Sequence, residues 1–224
     1  MVESFLLVFL SLLPIVNPPG SALLFLAITR RGTRELRTTL ARQIAIYAFL
    51  IMIIAVYVGA HVLALFGISV PVLRVAGGIV LALSGWRALD APRDPDGTRA
   101  NLAGDTRELE GMAFYPLTMP LTAGPGTVAV AIAVGTHGSG EPSVDGLQRT
   151  VGQIISSMAG ALLAALSIAA LIYLCYRYAD RIERAFGERG SDALGRLFAF
   201  ILICIGIQIL WVGFAELWGT LPPR

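Results

Sequence analysis

Long apolar stretches, separated by shorter polar segments, run through the whole chain. No charged residue lies between Ile44 and Phe66 or between Gln153 and Tyr176. Each of these stretches exceeds the roughly 20 residues with which an α-helix crosses the hydrocarbon core of a bilayer. We therefore expect an all-α integral membrane protein. The pattern predicts six spans, at residues 4–28, 43–66, 69–88, 113–136, 152–176 and 195–217.

The composition favours the same class of protein. Hydrophobic residues make up 56% of the 224 residues and charged residues only 14%, whereas about 25% of a soluble domain is charged. The first ten residues have no basic segment and no small-residue cleavage site, so we interpret the first apolar stretch as a retained helix and not as a signal peptide. Cys175 and Cys204 show no metal-ligand spacing, and packing is their expected role.

The placement of arginine predicts the orientation of the chain in the membrane. There is no lysine, and fourteen of the seventeen arginines flank or lie in the first, third and fifth segments between spans. Because short basic segments stay on the cytoplasmic side, both termini are expected outside the cytoplasm. The long polar segment, residues 89–111, is then a cytoplasmic linker. It divides the chain into two three-helix units, residues 1–88 and 112–224.

Two similar motifs, rich in proline and glycine, interrupt the first and fourth spans. The motif "PIVNPPGS" begins at Pro14, and "PLTAGPGT" begins at Pro120. Three spans per unit is an odd number, so the second unit must be inverted relative to the first. Inverted repeats of this kind are typical of secondary transporters. We therefore predict six transmembrane helices as two inverted three-helix repeats, with the first and fourth helices broken.

The motifs also predict what each break offers to a ligand. Proline has no amide hydrogen and clashes with the carbonyl four residues earlier, so each segment should divide into two half-helices. Asn17 is suited to cap a helix that begins at Pro18, and Gly124 precedes Pro125 in the same way. The exposed amides at such a helix N-terminus favour a carboxylate. The amides expected to be free are those of Gly20, Ser21, Ala22, Gly126, Thr127 and Val128.

Other polar residues near the spans have two interpretations. Gln43, Gln153 and Gln208 could bond across helices or line a path for a solute. Arg74 could extend to a membrane interface, where Glu216 could pair with it, or serve as a gate charge or a contact for a substrate carboxylate. Since the repeats are inverted, the two half-helix N-termini should meet near the bilayer midplane. The residues predicted to bind a solute there are Asn17, Pro18, Gly20, Ser21, Thr122, Gly124, Gly126, Thr127 and Gln208.

Four pieces of the sequence together resemble the MarC family of six-span membrane proteins. They are "PIVNPPGS", "FGISVPVLRVAGGI" from Phe66, "PLTMPLTAGPGT" from Pro116 and "GIQILWVG" from Gly206. The family is grouped with the LysE-type exporters and the small neutral amino-acid transporters. The resemblance implies a multi-pass protein of a bacterial-type inner membrane that moves solutes such as glycine, alanine or serine. Pro19 departs from the family pattern, where a more variable apolar residue is expected.

These observations predict a transporter of small neutral amino acids or similar small zwitterionic solutes, working by alternating access. A channel-like pore for a small neutral solute and a membrane protein without transport activity are the alternatives. No HExxH or GxSxG motif is present, so an enzyme is not expected. A metal site, a cofactor and a nucleic-acid partner are not expected either. Coupling to sodium or protons is left open. The expected partners are the lipid bilayer and the solute, and a homo-oligomer is left open.

Overall fold

The computed structural model describes residues 1–29, 32–90, 111–139 and 151–219. These residues are almost entirely helical, and none of them lies in a strand. The helices are α1 (Val2–Val16), α2 (Pro18–Ile28), α3 (Arg34–Tyr57), α4 (Gly59–Leu65), α5 (Val70–Asp90), α6 (Ala113–Thr122), α7 (Pro125–Ser139), α8 (Val151–Arg177) and α9 (Ala179–Gly219). The predicted linker, residues 89–111, lies outside the described residues except at its two ends.

Six parts of the described chain can cross a membrane. The bent pair of α6 and α7 passes as one span, and many apolar side chains, such as Leu83 and Trp211, are exposed as expected for contact with lipid. The prediction of an all-α protein with six spans is therefore confirmed, and the bounds agree to within a few residues except at the second span, which begins at Arg34 and not at residue 43. The five continuous candidates are Val2–Leu26, Arg34–Tyr57, Val70–Asp90, Ile155–Arg177 and Ala193–Gly219.

The second predicted span is divided into two helices. α3 ends at Tyr57 and α4 begins at Gly59, whereas the sequence predicted one helix over residues 43–66. A side chain at Gly59 would overlap that of Ile132 on α7. The junction thus lies where α7 approaches the backbone most closely, which is a packing effect that apolar length alone does not predict.

The connection between the fifth and sixth spans is helical, whereas the sequence predicted a polar loop. α9 begins at Ala179, directly after α8, and its backbone changes direction at Gly187, where φ is 69°. Glycine adopts this left-handed conformation without steric cost. Gly187 therefore separates a polar first part of α9 from the membrane span that begins at Ala193.

Helices α5 and α9 pack antiparallel through small residues. A Cβ atom at Gly78 would lie 2.6 Å from the carbonyl oxygen of Gly206, and one at Gly213 would lie 2.8 Å from that of Pro71. Small residues let two membrane helices approach to this distance. At one end of the pair, Arg74 forms an ion pair with Glu216, which confirms the predicted pairing of these two side chains.

The remaining helices pack around α8 and α7. α8 contacts α1, α2 and α3, and α7 contacts α1, α3 and α5. The largest fully buried side chains include Leu12, Phe25, Ile44, Ile168 and Tyr176. The core of the bundle therefore lies around the two places where the first and fourth spans are interrupted.

Candidate functional site

The first break consists of one residue, Asn17, between α1 and α2. Its backbone is left-handed, with φ 44° and ψ 61°, a conformation that asparagine tolerates better than most residues. Its side-chain oxygen accepts a hydrogen bond from the Gly20 amide at 3.3 Å, and its carbonyl oxygen accepts one from the Ser21 amide at 2.9 Å. The predicted cap at Asn17 is confirmed. The expectation that the Gly20 and Ser21 amides are free is wrong, because Asn17 binds both.

A hydroxyl group completes the first break. The Ser21 hydroxyl donates to the carbonyl oxygen of Val16, five residues earlier, at 3.0 Å. A regular helix would pair the Val16 carbonyl with the Gly20 amide, but that amide binds the Asn17 side chain here, so the Ser21 hydroxyl satisfies the carbonyl instead. Pro18 and Ser21 are both buried. The polar groups at the start of α2 therefore find their partners within the break itself.

The second break is longer and bends the chain more sharply. The axes of α6 and α7 differ by 64°. Within α6, Tyr115 and Met119 have extended backbones, with φ/ψ of −127°/125° and −115°/119°. Each precedes a proline, and a residue in this position is disfavoured from the helical region. The distortion therefore begins at Tyr115, about one turn before Pro120, whereas the sequence motif placed the break at Pro120.

Two threonines satisfy carbonyl groups in the distorted helix α6. Thr118 donates to the carbonyl oxygen of Ala113, and Thr122 donates to that of Leu117, each at 2.7 Å. Both threonines are buried, with exposures of 0% and 1%. Each bond spans five residues, as does that of Ser21 at the first break. Hydroxyl groups thus satisfy carbonyls that a regular helix would pair with amides.

The N-terminus of α7 differs from that of α2 in having no side-chain cap. The cap position is Gly124, and the Val128 amide donates to its carbonyl oxygen at 3.1 Å, so the expectation that the Val128 amide is free is wrong. The amides of Gly126 and Thr127 lie in the first turn of α7, before the amide that makes this bond. In the first turn, the helix itself contains no carbonyl oxygen that could accept a hydrogen bond from them. Thr127 is only 2% exposed, and its hydroxyl makes no hydrogen bond within the described ranges of the chain.

Helix α5 closes one side of this N-terminus. A Cβ atom at Gly126 would lie 2.8 Å from the side chain of Leu81, and a side chain at Gly77 would overlap that of Ala129. Gly126 is buried and Gly124 is half-buried. The uncapped amides therefore lie beside a tight contact between α5 and α7, which leaves no room for a ligand on that side.

Tyr176 on α8 connects the two breaks. Its hydroxyl lies 2.6 Å from the Thr122 hydroxyl, and the Ser21 side chain lies near it. Its ring stacks on Phe25 of α2 with a centroid distance of 4.7 Å. Sequence reasoning missed this residue, because a tyrosine beside Arg177 at the end of an apolar stretch is typical of a membrane interface.

Comparison with known proteins identifies the family. The profile of the MarC family integral membrane proteins matches residues 2–218. The chain belongs to the MarC family. The inner membrane protein MarC of Salmonella paratyphi A and that of Citrobacter koseri are each 33% identical to it, over 216 and 217 residues, and each alignment covers 93% of both chains. No solved structure matches.

Family membership agrees with the helices described above. The predicted resemblance to the MarC family is confirmed, and so is its implication of an inner membrane location. With its six spans, this MarC-family chain is a multi-pass inner membrane protein.

The structure does not bring Gln208 to the breaks of this MarC-family chain. Gln208 is exposed on α9, whose Gly206 faces α5 and whose Ile205 and Ile209 pack toward the core. At 100° per residue Gln208 lies about opposite Gly206, so its predicted place in the site is not supported. Gln43 differs, because its side-chain oxygen is buried and has no hydrogen-bond partner within the described chain.

Proposed function

We propose that this protein transports small neutral amino acids, or similar small zwitterionic solutes, across the inner membrane by alternating access. The observation that carries the proposal is the N-terminus of α7. There, the first-turn amides of Gly126 and Thr127, and the hydroxyl group of Thr127, make no hydrogen bonds among the described residues. An unsatisfied buried polar group costs about 1–3 kcal/mol. A carboxylate would satisfy such donors, and a helix N-terminus favours its charge.

The pattern of helix packing supports two inverted repeats, residues 1–88 and 112–224. α8 packs against both parts of the first broken helix, α1 and α2, while α3 packs against both parts of the second, α6 and α7. α9 packs against α2, and α5 packs against α7. Exchanging the first three spans for the last three reproduces these contacts. Two repeats related by a pseudo-two-fold axis have this property, and transporters bind their solutes between such repeats.

The tight contact around Gly126 favours a small solute and a moving site. Leu81 fills the space in which even a Cβ atom at Gly126 would lie. We place binding in a state in which α5 has withdrawn from α7, and the opened space beside Gly126 and Gly77 suits a solute with a short side chain. The contacts of Tyr176 with the Thr122 hydroxyl and with the ring of Phe25 link the two broken helices. Breaking them is the step that we assign to opening.

Counterflow in proteoliposomes tests this function. The purified protein is reconstituted in vesicles preloaded with unlabelled glycine, alanine or serine, and uptake of the labelled solute is followed with and without sodium and proton gradients. We expect transient accumulation above the equilibrium level. Equilibration without accumulation would indicate a channel-like pore, and uptake equal to that of protein-free vesicles for all three solutes would contradict the proposal.

A matched pair of threonine variants tests the site. Thr127→Val keeps the shape of the side chain but removes the unpaired hydroxyl, so we expect counterflow to fall by about tenfold, as for one lost hydrogen bond to a charged group. Thr136→Val is the control, because Thr136 lies on the same helix and its hydroxyl already bonds to the Ala133 carbonyl at 2.7 Å. Equal transport by the two variants would remove Thr127 from the site.

A further inference from the structure

A basic pocket lies outside the site described above, where the N-terminus of α3 meets the junction of α8 and α9. It has a volume of about 70 Å³ and is open to the surface. Four of its six lining residues are arginines. The lining residues are Arg34, Arg177, Tyr178, Asp180, Arg181 and Arg184.

The positive charge of this basic pocket is not balanced within the described chain. Asp180 is its one acidic lining residue, and the Asp180 carboxylate pairs with Arg37, which is not a lining residue, at 2.6 Å. None of the four lining arginines forms an ion pair with a carboxylate in the described ranges. Four like charges around one cavity repel each other, so the pocket favours an anion.

Neutral groups hold two of these arginines in place. Arg177 donates to the Tyr173 hydroxyl at 2.6 Å, and its guanidinium carbon lies 5.7 Å from the centroid of the same ring. The guanidinium group of Arg181 lies 4.9 Å from the centroid of the Tyr178 ring. These contacts restrict the side chains without cancelling their charge. Less conformational entropy is therefore lost when an anion binds.

A third arginine is fixed by the backbone, and the whole set suits a phosphate group. The Nε atom of Arg184 donates to the carbonyl oxygen of Asp180 at 3.0 Å, which leaves its terminal nitrogens available. Guanidinium groups bind phosphate through paired, parallel hydrogen bonds. A phosphate group presents several acceptor oxygens, so more than one arginine can bind it at once.

The pocket also lies at the depth of lipid headgroups. The fifth candidate span ends at Arg177, so this residue lies where hydrocarbon gives way to water. Tyr173 and Tyr178 beside it are of a type enriched at this boundary. We propose that this basic pocket binds a phosphate group, supplied by an anionic phospholipid or by inorganic phosphate.

Lipid retention tests the proposal. The full chain is reconstituted in nanodiscs of phosphatidylglycerol and phosphatidylcholine in equal parts, and native mass spectrometry counts the lipids that stay bound on release. We expect preferential retention of phosphatidylglycerol. The double variant Arg177→Gln/Arg181→Gln should reduce that retention about tenfold or more, since each arginine near an anionic lipid adds to the attraction. Arg34→Gln, on another helix, repeats the test if the double variant does not fold.

Two controls separate the outcomes. Arg87→Gln removes an exposed arginine in the last turn of α5, outside the pocket, and should leave retention unchanged. In lipid-free detergent, inorganic phosphate is compared with chloride at equal ionic strength by the midpoint of thermal unfolding. A higher midpoint in phosphate without a preference for phosphatidylglycerol supports the site with a soluble source. Equal retention of both lipids with no effect of phosphate overturns the proposal, as do equal losses in Arg87→Gln and the double variant.

Discussion

The first and second breaks have similar sequences but leave different groups unpaired. At the first, the Asn17 side chain binds the Gly20 amide, and the Ser21 hydroxyl binds the Val16 carbonyl. At the second, Gly124 occupies the cap position and has no side chain to offer. The Thr127 hydroxyl, at the position in the motif that matches Ser21, has no partner within the described residues.

The backbone is also less distorted at the first break than at the second. α1 and α2 together form one continuous candidate span, Val2–Leu26, whereas the axes of α6 and α7 differ by 64°. A single residue with a left-handed backbone accounts for the first interruption, and extended residues before prolines account for the larger distortion in α6. The first break therefore satisfies its own polar groups, whereas the second leaves amides unpaired, and the proposed binding site rests on this difference.

The largest expected effect compares a leucine at each break. Gly126→Leu would push against Leu81 and cover the uncapped amides, so we expect counterflow to fall on the order of 100-fold, as when a bound group is misplaced by about 1 Å. A Cβ atom at Gly20 would overlap the side chain of Asn17. Gly20→Leu should lower stability by about 1 kcal/mol through loss of the cap while counterflow persists. Counterflow and thermal unfolding of both purified variants would be measured, and equal losses of transport would contradict the assigned difference between the breaks.

A smaller effect is expected from removing the cap of the first break. Asn17→Ala loses the bond to the Gly20 amide and places a less tolerant residue at φ 44°, so unfolding should become easier by about 2 kcal/mol. Asn17→Gly is the matched control, because glycine accepts the left-handed backbone and should cost only a few tenths of a kcal/mol. Thermal unfolding in detergent distinguishes them. Equal unfolding temperatures of the Asn17→Ala and Asn17→Gly variants would show that the left-handed backbone at this position does not determine the stability of the break.

Local chemistry explains how much of this arrangement the sequence could predict. The spans follow from the length of the apolar stretches, and the start of α2 at Pro18 follows from the preferences of asparagine and proline at a helix N-terminus. Those preferences do not say whether an amide beyond the cap is already bound. For this reason the prediction treated Gly20 and Gly126 as equivalent.

Contacts between distant helices could not be predicted in this way. Tyr176 reaches Ser21 and Thr122 only because α8 packs against α2 and lies close to α6 in the folded bundle. The outward position of Gln208 could not be predicted from the sequence either. The reason is that α9 is apolar around most of its circumference, so no polar stripe distinguishes the side that faces lipid.

The smallest effect tests whether Tyr176 joins the two breaks or serves only as packing. Tyr176→Phe keeps the ring that stacks on Phe25 and removes the hydroxyl 2.6 Å from Thr122. In a double-mutant cycle with Thr122→Val, we expect a coupling energy of about 1 kcal/mol in unfolding, as for residues that share a hydrogen bond. The matched cycle with Thr127→Val should show coupling near zero, because no bond joins Thr127 to Tyr176 in the described chain. Equal coupling in the two cycles would mean that Tyr176 acts through packing alone, and the two broken helices would then open without releasing this hydroxyl.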